Sequence, residues 1–161
     1  MAWIGFQPCP GAAMDDETAM AAFRELELFA HFNDEHLRLL AFVCQEQRLM
    51  AGDVLSEAGA SVGGAHVLVS GQLEAGSGEG GPRYRITPPA LIGEIGLMLD
   101  KPRATTIVAT RTSSVLLVPR EAFMKLLRTH PELAQGVADT LRGELTRYLE
   151  SIATLGGRFS S

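Results

Sequence analysis

The chain has 161 residues, which is the size of one domain with a single core. Hydrophobic residues make up 46% of it and charged residues 20%, the balance of a folded globular protein, which excludes disordered and fibrous classes. The formal net charge of −5 argues against direct DNA binding, because non-specific affinity for nucleic acid needs positive charge.

Residues 1–14 are interpreted as a flexible leader. They have no basic n-region and contain two prolines and two glycines, so they do not resemble a secretory signal. No apolar run approaches the roughly 20 residues that cross a bilayer, so we expect no membrane contact. The two cysteines, Cys9 and Cys44, are too few for a disulfide framework, which favours a cytoplasmic location.

Two helices are predicted at the start of a domain that spans residues 15–155. The first covers 16–28, where acidic residues occupy the N-terminal turn and apolar residues follow at helical spacing. The second covers 34–44, with Asn33 as its N-cap. Both helices precede a long region with a different residue pattern.

Residues 47–119 are predicted to form a β-roll. Apolar runs of four to six residues alternate there with glycine-rich breaks, and many short strands in succession indicate a sandwich or barrel. The clearest strands are 65–70, 72–75, 83–87, 105–110 and 113–118. The stretch GSGEGG at 76–81 is interpreted as a hairpin tip, since it lacks the ending of a phosphate loop.

Helices are predicted again over 120–155, with 156–161 as a tail. The segment from Pro131 to Leu155 carries a continuous apolar stripe of Leu133, Val137, Leu141, Leu145, Tyr148, Ile152 and Leu155. The stripe either packs on the β core or pairs with a second protomer in a short coiled-coil-like seam. The spacing does not separate these two hypotheses.

The segment LIGEIGLMLDKPRATTIVAT, residues 91–110, carries the candidate chemistry. Gly93 permits a tight turn, and one or two helical turns are predicted directly after it, over residues 94–99. Unpaired amides at that start, with the fork of Arg103 close by, suit an anion such as phosphate. A carboxylate beside an anion needs another role, and Glu94 is suited to accept a hydrogen bond from a ribose hydroxyl.

This segment resembles the phosphate-binding cassette of the cyclic nucleotide-binding domain family, the type found in catabolite activator protein and in protein kinase A regulatory subunits. The family pattern is Gly-Glu, a hydrophobic residue, Ala or Gly, a short helix, and then Pro-Arg with small residues and a valine. The chain has GEIG at 93–96 and PRATTIV at 102–108. VLVSGQLEA at 67–75 is similar to the family's glycine-turn hairpin, and REAFMKLLRTHPELA at 120–134 to its first helix after the roll.

The resemblance implies a mainly β fold with flanking helices, a jelly-roll β-roll with N-terminal helices and a C-terminal helix. It also implies that a cyclic nucleotide binds inside the roll as the ligand. Glu94 would bind the ribose 2′-hydroxyl, and Arg103 the cyclic phosphate with the amide of Ala104. Gly93, Ile95 and Thr105 complete this part of the implied site.

The base of the nucleotide is expected against apolar strand positions. Ala75 and Ile86 are the candidates, and Tyr148 from the last helix is the candidate lid because an aromatic face stacks on a purine. Alanine directly after the arginine resembles the choice of family members that bind cAMP. The resemblance therefore favours cAMP over cGMP.

The predicted function is a cyclic nucleotide-binding regulatory module, not an enzyme. No serine or cysteine lies in a nucleophile motif, and no His-x-His pair of a jelly-roll metal site occurs among His31, His36, His66 and His130. We therefore expect no catalytic cofactor and no metal. A DNA-reading winged helix would need more residues after Leu155, so a stand-alone sensor is predicted unless the chain is part of a longer regulator.

The output is predicted to be a protein partner or a homodimer formed through the 131–155 helix. Two alternatives stay open. One is an interaction or dimerisation domain that has this fold but binds no ligand. The other is a small jelly-roll metalloenzyme.

Overall fold

The computed structural model describes residues 14–76 and 81–160; side chains are excluded at 144, 148, 149 and 151–160. Thirteen residues of the predicted leader and most of the hairpin tip lie outside this description. In chain order the elements are α1 (Asp16–Arg24), a first 3-10 turn (Glu27–Phe29), α2 (Asp34–Val43), β1 (Gln45–Leu49), β2 (Val54–Ser56), β3 (Gly64–Ser70), β4 (Leu73–Gly76), β5 (Arg83–Ile86), β6 (Ala90–Ile92), a second 3-10 turn (Glu94–Leu97), β7 (Thr106–Ala109), β8 (Ser113–Pro119), α3 (Arg120–Thr129) and α4 (Pro131–Ser160).

Two antiparallel four-stranded sheets form the centre of the molecule. Their strand orders are β1-β8-β3-β6 and β2-β7-β4-β5. Strands distant in sequence are neighbours, as where Val67 of β3 pairs with Leu116 of β8 and with Leu91 of β6. The predicted mainly β architecture with helices before and after it is confirmed.

Strand β3 separates two hydrophobic cores. Its side chains alternate between the faces of the sheet, so Ala65 and Val67 pack against the helices while Leu68 points between the two sheets. The core between the sheets contains Leu49, Leu68, Leu73, Ala75, Ile107, Ala109 and Val115. The helical core is larger and is built around Phe23, Phe29 and Phe123.

The first predicted helix, 16–28, is wrong at its C-terminal end. The α-helix ends at Arg24, and Leu26 adopts an extended conformation before the first 3-10 turn begins. This break turns Phe29 into the core, where its ring centroid lies 5.4 Å from that of Phe23 and 5.3 Å from that of Phe32. Burial of an aromatic side chain thus outweighs the helical periodicity of the sequence.

Several other boundaries differ from the predictions. The roll begins with β1 at Gln45 rather than at 47, and β1, β2 and β6 were not predicted as strands because they are short or polar. The second helix ends at Val43, one residue early. In the 120–155 region, α3 ends at Thr129 and α4 begins at Pro131, where the longer segment was predicted to start; α4 differs in continuing to Ser160, through most of the expected tail.

The helices of the described chain lack membrane-spanning character. None of them combines the length and the apolar composition that a bilayer crossing requires, including the thirty-residue α4.

Phe123 provides a test of the helical core. It is fully buried, with its ring centroid 6.3 Å from that of Phe29. We expect Phe123→Ala to lower the free energy of unfolding by about 3–5 kcal/mol, because it removes buried apolar surface and leaves a cavity. The matched control is Phe42→Ala, whose side chain is 84% exposed and whose loss should change stability by about 0.5 kcal/mol or less. Urea unfolding of both variants measures this, and equal effects would contradict the packing described.

Candidate functional site

Gly93 begins the second 3-10 turn in a conformation that other residues avoid. Its φ of +72° and ψ of +42° lie in the left-handed region. A Cβ atom at this position would also overlap the guanidinium of Arg103. Two separate constraints therefore require glycine here, one from the backbone and one from the neighbouring cation.

The segment after Gly93 is shorter than predicted. A four-residue 3-10 turn replaces the one or two helical turns expected over residues 94–99, and its first bond runs from the Gly96 amide to the Gly93 carbonyl at 2.8 Å. The amides of Glu94 and Ile95 precede that bond and have no partner in the turn itself. Two main-chain donors thus lie at the start of the turn.

Arg103 lies inside the roll and is only 9% exposed. Its backbone is fixed to the preceding loop: its amide donates to Ala60 O at 2.9 Å, and its carbonyl accepts from Gly59 N at 2.8 Å. Within the described chain no acid pairs with this guanidinium, and its Nε has no hydrogen-bond partner. Burial lowers the pKa of Arg103, yet the group stays charged at any physiological pH. A buried cation without a counter-charge attracts an anion.

His66 supplies the side-chain contact to this guanidinium, and sequence reasoning missed it. Its Nδ1 lies 3.1 Å from Arg103 Nη2, and the residue is 3% exposed. Burial first, and then the charge of Arg103, lowers the pKa of His66 to about 4, so the imidazole is neutral at physiological pH. The available signal was the alternation of β3, which places residue 66 on the same face as Leu68.

A cavity of about 270 Å³ opens beside this cation, near the lower end of the size range of small-molecule sites. Its walls come from residues 92–96 and 101–105, with Ile107 behind them. The structure brings six of the nine predicted site residues to this one cavity: Gly93, Glu94, Ile95, Arg103, Ala104 and Thr105. The chain folds back between residues 96 and 101, so that two stretches separated by four residues line the same cavity.

The three other predicted residues do not line this cavity. Ala75 is buried on β4 directly opposite Ile107, one strand away from the cavity wall. Ile86 is half-buried on β5 and packs against the core between the sheets. Tyr148 belongs to α4, but its side chain lies outside the described residues.

Glu94 lies where two cavities meet. It is half-buried, and burial raises the pKa of its carboxyl, while the charge of Arg147 opposes that rise and the charge of Glu27 adds to it. The second cavity, about 250 Å³, is lined by Glu94 and Leu91 on one side and by Asp139, Thr140, Gly143 and Arg147 of α4 on another. The sequence predicted Tyr148 as the residue of this helix that faces the ligand. It did not predict Arg147, because an apolar stripe does not show where the charged residues beside it lie.

Two histidines that are far apart in the sequence meet outside the roll. The ring centroids of His36 and His130 lie 4.8 Å apart, and Glu132 is 3.4 Å from His36 Nε2 and 3.5 Å from His130 Nδ1. However, His36 Nδ1 accepts the Asn33 amide at 3.2 Å as part of the cap of α2, so Nε2 carries the proton in the neutral ring. A metal-bound histidine instead donates from its second nitrogen. The cluster places both rings within ion-pair distance of the Glu132 carboxylate, and the cap hydrogen bond of His36 disfavours this ring as a metal ligand.

Cys44 is the free cysteine of the described chain. It is half-buried against the helical core, and burial raises the pKa of its thiol to about 12. The thiolate needed for nucleophilic attack is absent at neutral pH.

The burial of neutral His66 predicts a pH dependence of stability. Because its pKa is about 4 in the folded chain and near 6.5 when unfolded, the unfolded chain binds the extra proton as the pH falls. The stability that depends on neutral His66 is complete above about pH 6.5 and is lost between about pH 6.5 and 4, by about 3 kcal/mol. Urea unfolding across this range measures the slope. His66→Asn, which does not titrate, should flatten the slope, and an unchanged slope would contradict the assignment.

Comparison with known proteins identifies relatives of the chain. The profile of the cyclic nucleotide-binding domain family matches residues 46–130, which are more than half of this chain. A cyclic nucleotide-binding-like protein from Brucella abortus is 31% identical with a TM-score of 0.62, over 71% of this chain and 99% of that one. The N-terminal domain of a transcriptional regulator from Streptomyces coelicolor, 24% identical, has the same fold, with a TM-score of 0.71 over 81% of this chain and 94% of that one.

A third relative is larger than this chain. An uncharacterized NTE family protein from Mycobacterium tuberculosis is 26% identical over 115 residues, which are 71% of this chain and 20% of that protein. The chain thus spans about a fifth of the length of the curated relatives it matches. The predicted β-roll is confirmed by the matched folds. With the family profile extending from β1 to the end of α3, and the Gly93 and Arg103 segments folded around one cavity, this chain belongs to the cyclic nucleotide-binding domain family.

Proposed function

We propose that the chain is a regulatory domain that binds a cyclic nucleotide, most favourably cAMP, in the cavity beside Arg103. The observation that carries this proposal is a guanidinium, 9% exposed and without an acidic partner in the described chain, at the wall of a cavity of about 270 Å³. A cyclic phosphodiester carries one negative charge and offers oxygens to a forked donor. It therefore supplies what the buried cation lacks.

The cassette offers further donors to the phosphate. Arg103 Nε is buried and has no partner within the described residues, so a phosphate oxygen that reached it would satisfy this donor, while Nη2 contacts His66. The amides of Ile95 and Ala104, which line the same cavity, would add main-chain donors, and Gly93 keeps the space beside the guanidinium open. Phosphate recognition would thus use charge and main-chain geometry together.

Glu94 would bind the ribose. An ionised carboxylate accepts a hydrogen bond from a hydroxyl; burial raises the pKa of Glu94, and the positive charge of Arg147 on α4 opposes that rise. Because Arg147 belongs to α4, this pair would connect ligand binding to the position of the helix. Thr105 lines the cavity. Ala75, which pairs with the cavity residue Ile107, and Ile86 are proposed to face the base, with Tyr148 as its lid. Ala104 after Arg103 is the feature that favours cAMP over cGMP.

The output of binding is proposed to be a shift of α4. The ligand would favour the arrangement in which this helix approaches the cassette, so that a pre-existing equilibrium moves toward it. The receiver would be a protein partner or a second copy of the chain meeting α4. The profile and the matched structures belong to binding regulators, which supports a signalling role over an enzymatic one.

Titration calorimetry with cAMP and with cGMP tests this function. We expect cAMP to bind more tightly, and Arg103→Ala to weaken its binding by about 30-fold or more, since the phosphate would be buried without its charge partner. Arg24→Ala is the matched control, because Arg24 is an exposed arginine of α1 that pairs with Asp34. Absence of heat and of thermal stabilisation with both nucleotides would refute the proposal.

A second candidate, an interaction domain without a ligand, is favoured by exposed apolar side chains. Leu145 of α4 is 37% exposed, and Met98 and Leu99, which follow the second 3-10 turn, are 40% and 50% exposed. α4 contacts the turn that precedes these two residues, so the exposed groups belong to neighbouring elements. This candidate predicts a dimer by analytical ultracentrifugation that Leu145→Lys weakens and Arg103→Ala does not. A monomer at all concentrations would exclude it.

A further inference from the structure

We propose that His66 is a positioning residue of the anion site: its neutral imidazole accepts a hydrogen bond from Arg103 and thereby aims the guanidinium at the cavity. This inference rests on the proposed function, because the site that His66 serves is the phosphate site. It assigns a role to a buried strand residue outside the cassette.

The position of His66 in the sheet directs it to the cation. In β3, Ala65 and Val67 face the helices, so His66 and Leu68 face the opposite side, toward the interior of the roll. His66 pairs with Ile92 of β6 and with Leu117 of β8, two apolar neighbours. In this surrounding the ring is 3% exposed, and a buried imidazole needs a polar partner. Arg103 Nη2, at 3.1 Å, is that partner.

The chemistry of the two groups fixes the tautomer. A guanidinium has only N–H donors, so the contact exists only if His66 Nδ1 offers a lone pair. The proton of the neutral ring must then be on Nε2. An acid in the same place would neutralise the guanidinium, whereas the neutral imidazole orients it and leaves its charge available to a ligand. This distinguishes a positioning role from an ion pair.

The rest of the guanidinium surroundings agree with this role. On one side Gly93 presents no side chain, and any Cβ there would overlap the guanidinium. Nε has no partner within the described chain. His66 therefore provides the side-chain hydrogen bond that orients Arg103. The charge that acts on His66 from the elements packed around it is that of Arg103.

Two substitutions separate the acceptor from the shape of the ring. In His66→Asn the amide oxygen can lie close to the position of Nδ1 and accept the same hydrogen bond. His66→Phe keeps a planar ring in this place but removes the hydrogen-bond acceptor. With cAMP as the titrant, we expect His66→Phe to weaken binding by about tenfold or more and His66→Asn by about threefold or less. Thermal unfolding of each variant without ligand shows that both are folded.

The outcomes distinguish this inference from the proposed function. If wild-type protein binds cAMP and Arg103→Ala does not, but His66→Phe binds as well as wild type, the positioning role is wrong and the function stands. Equal losses in His66→Phe and His66→Asn would also overturn it, since the acceptor would then not matter. If wild-type protein binds neither cAMP nor cGMP, the function and the inference fail together.

A measurement on the unliganded wild-type protein keeps the inference testable even if His66→Phe does not fold. Long-range ¹H–¹⁵N spectra of the imidazoles report which ring nitrogen carries the proton. At pH 7 we expect His66 to show a protonated Nε2 and an unprotonated Nδ1. A proton on Nδ1 would exclude the hydrogen bond from Arg103 and overturn the proposal.

Discussion

The buried guanidinium of Arg103 is the constraint on which the site depends. Removing a cation from water is unfavourable, and in proteins such groups are normally paired with an acid. Here, within the described chain, the guanidinium has a neutral imidazole on one side and a glycine on another. Several features of the neighbourhood serve this arrangement. The loop at Gly59 and Ala60 fixes the backbone of the arginine, and β3 brings His66 beneath it.

The fold places this cation in a cavity whose wall includes the second 3-10 turn, and α4 contacts that turn. The cassette lies between the roll and α4, and Glu94 faces both the anion cavity and the second cavity next to Arg147. A charge in either cavity therefore acts on Glu94, which lines both cavities. A ligand that engages Glu94 would change the balance between this carboxylate and the charges of Glu27 and Arg147. Under the proposed function, this would be a short physical route from a bound sugar to the C-terminal helix.

Two apolar clusters stabilise the fold around this site. Helical packing around Phe29 and Phe123 stabilises one face of the β1-β8-β3-β6 sheet, and a separate apolar cluster fills the space between the sheets. Of the second 3-10 turn, Leu97 is the residue that belongs to these clusters in the described chain. Ile107 serves both stability and the site, since it belongs to the core between the sheets and also lines the anion cavity. The positive φ of Gly93 carries little strain, because glycine has no Cβ.

The sequence by itself determined the fold class, the family and most of the cassette. Glycine, an acid, a short apolar segment and a delayed arginine form a local pattern, and local patterns can be recognised without knowing which strands pair. It could not show His66, since the partner of that histidine lies 37 positions away and the two meet only when β3 passes under the cassette. Arg147, Glu132 and the end of α1 at Arg24 depended in the same way on contacts between distant elements. Tertiary structure decided these features because burial and hydrogen bonding between distant residues outweigh the weak local preferences of the chain.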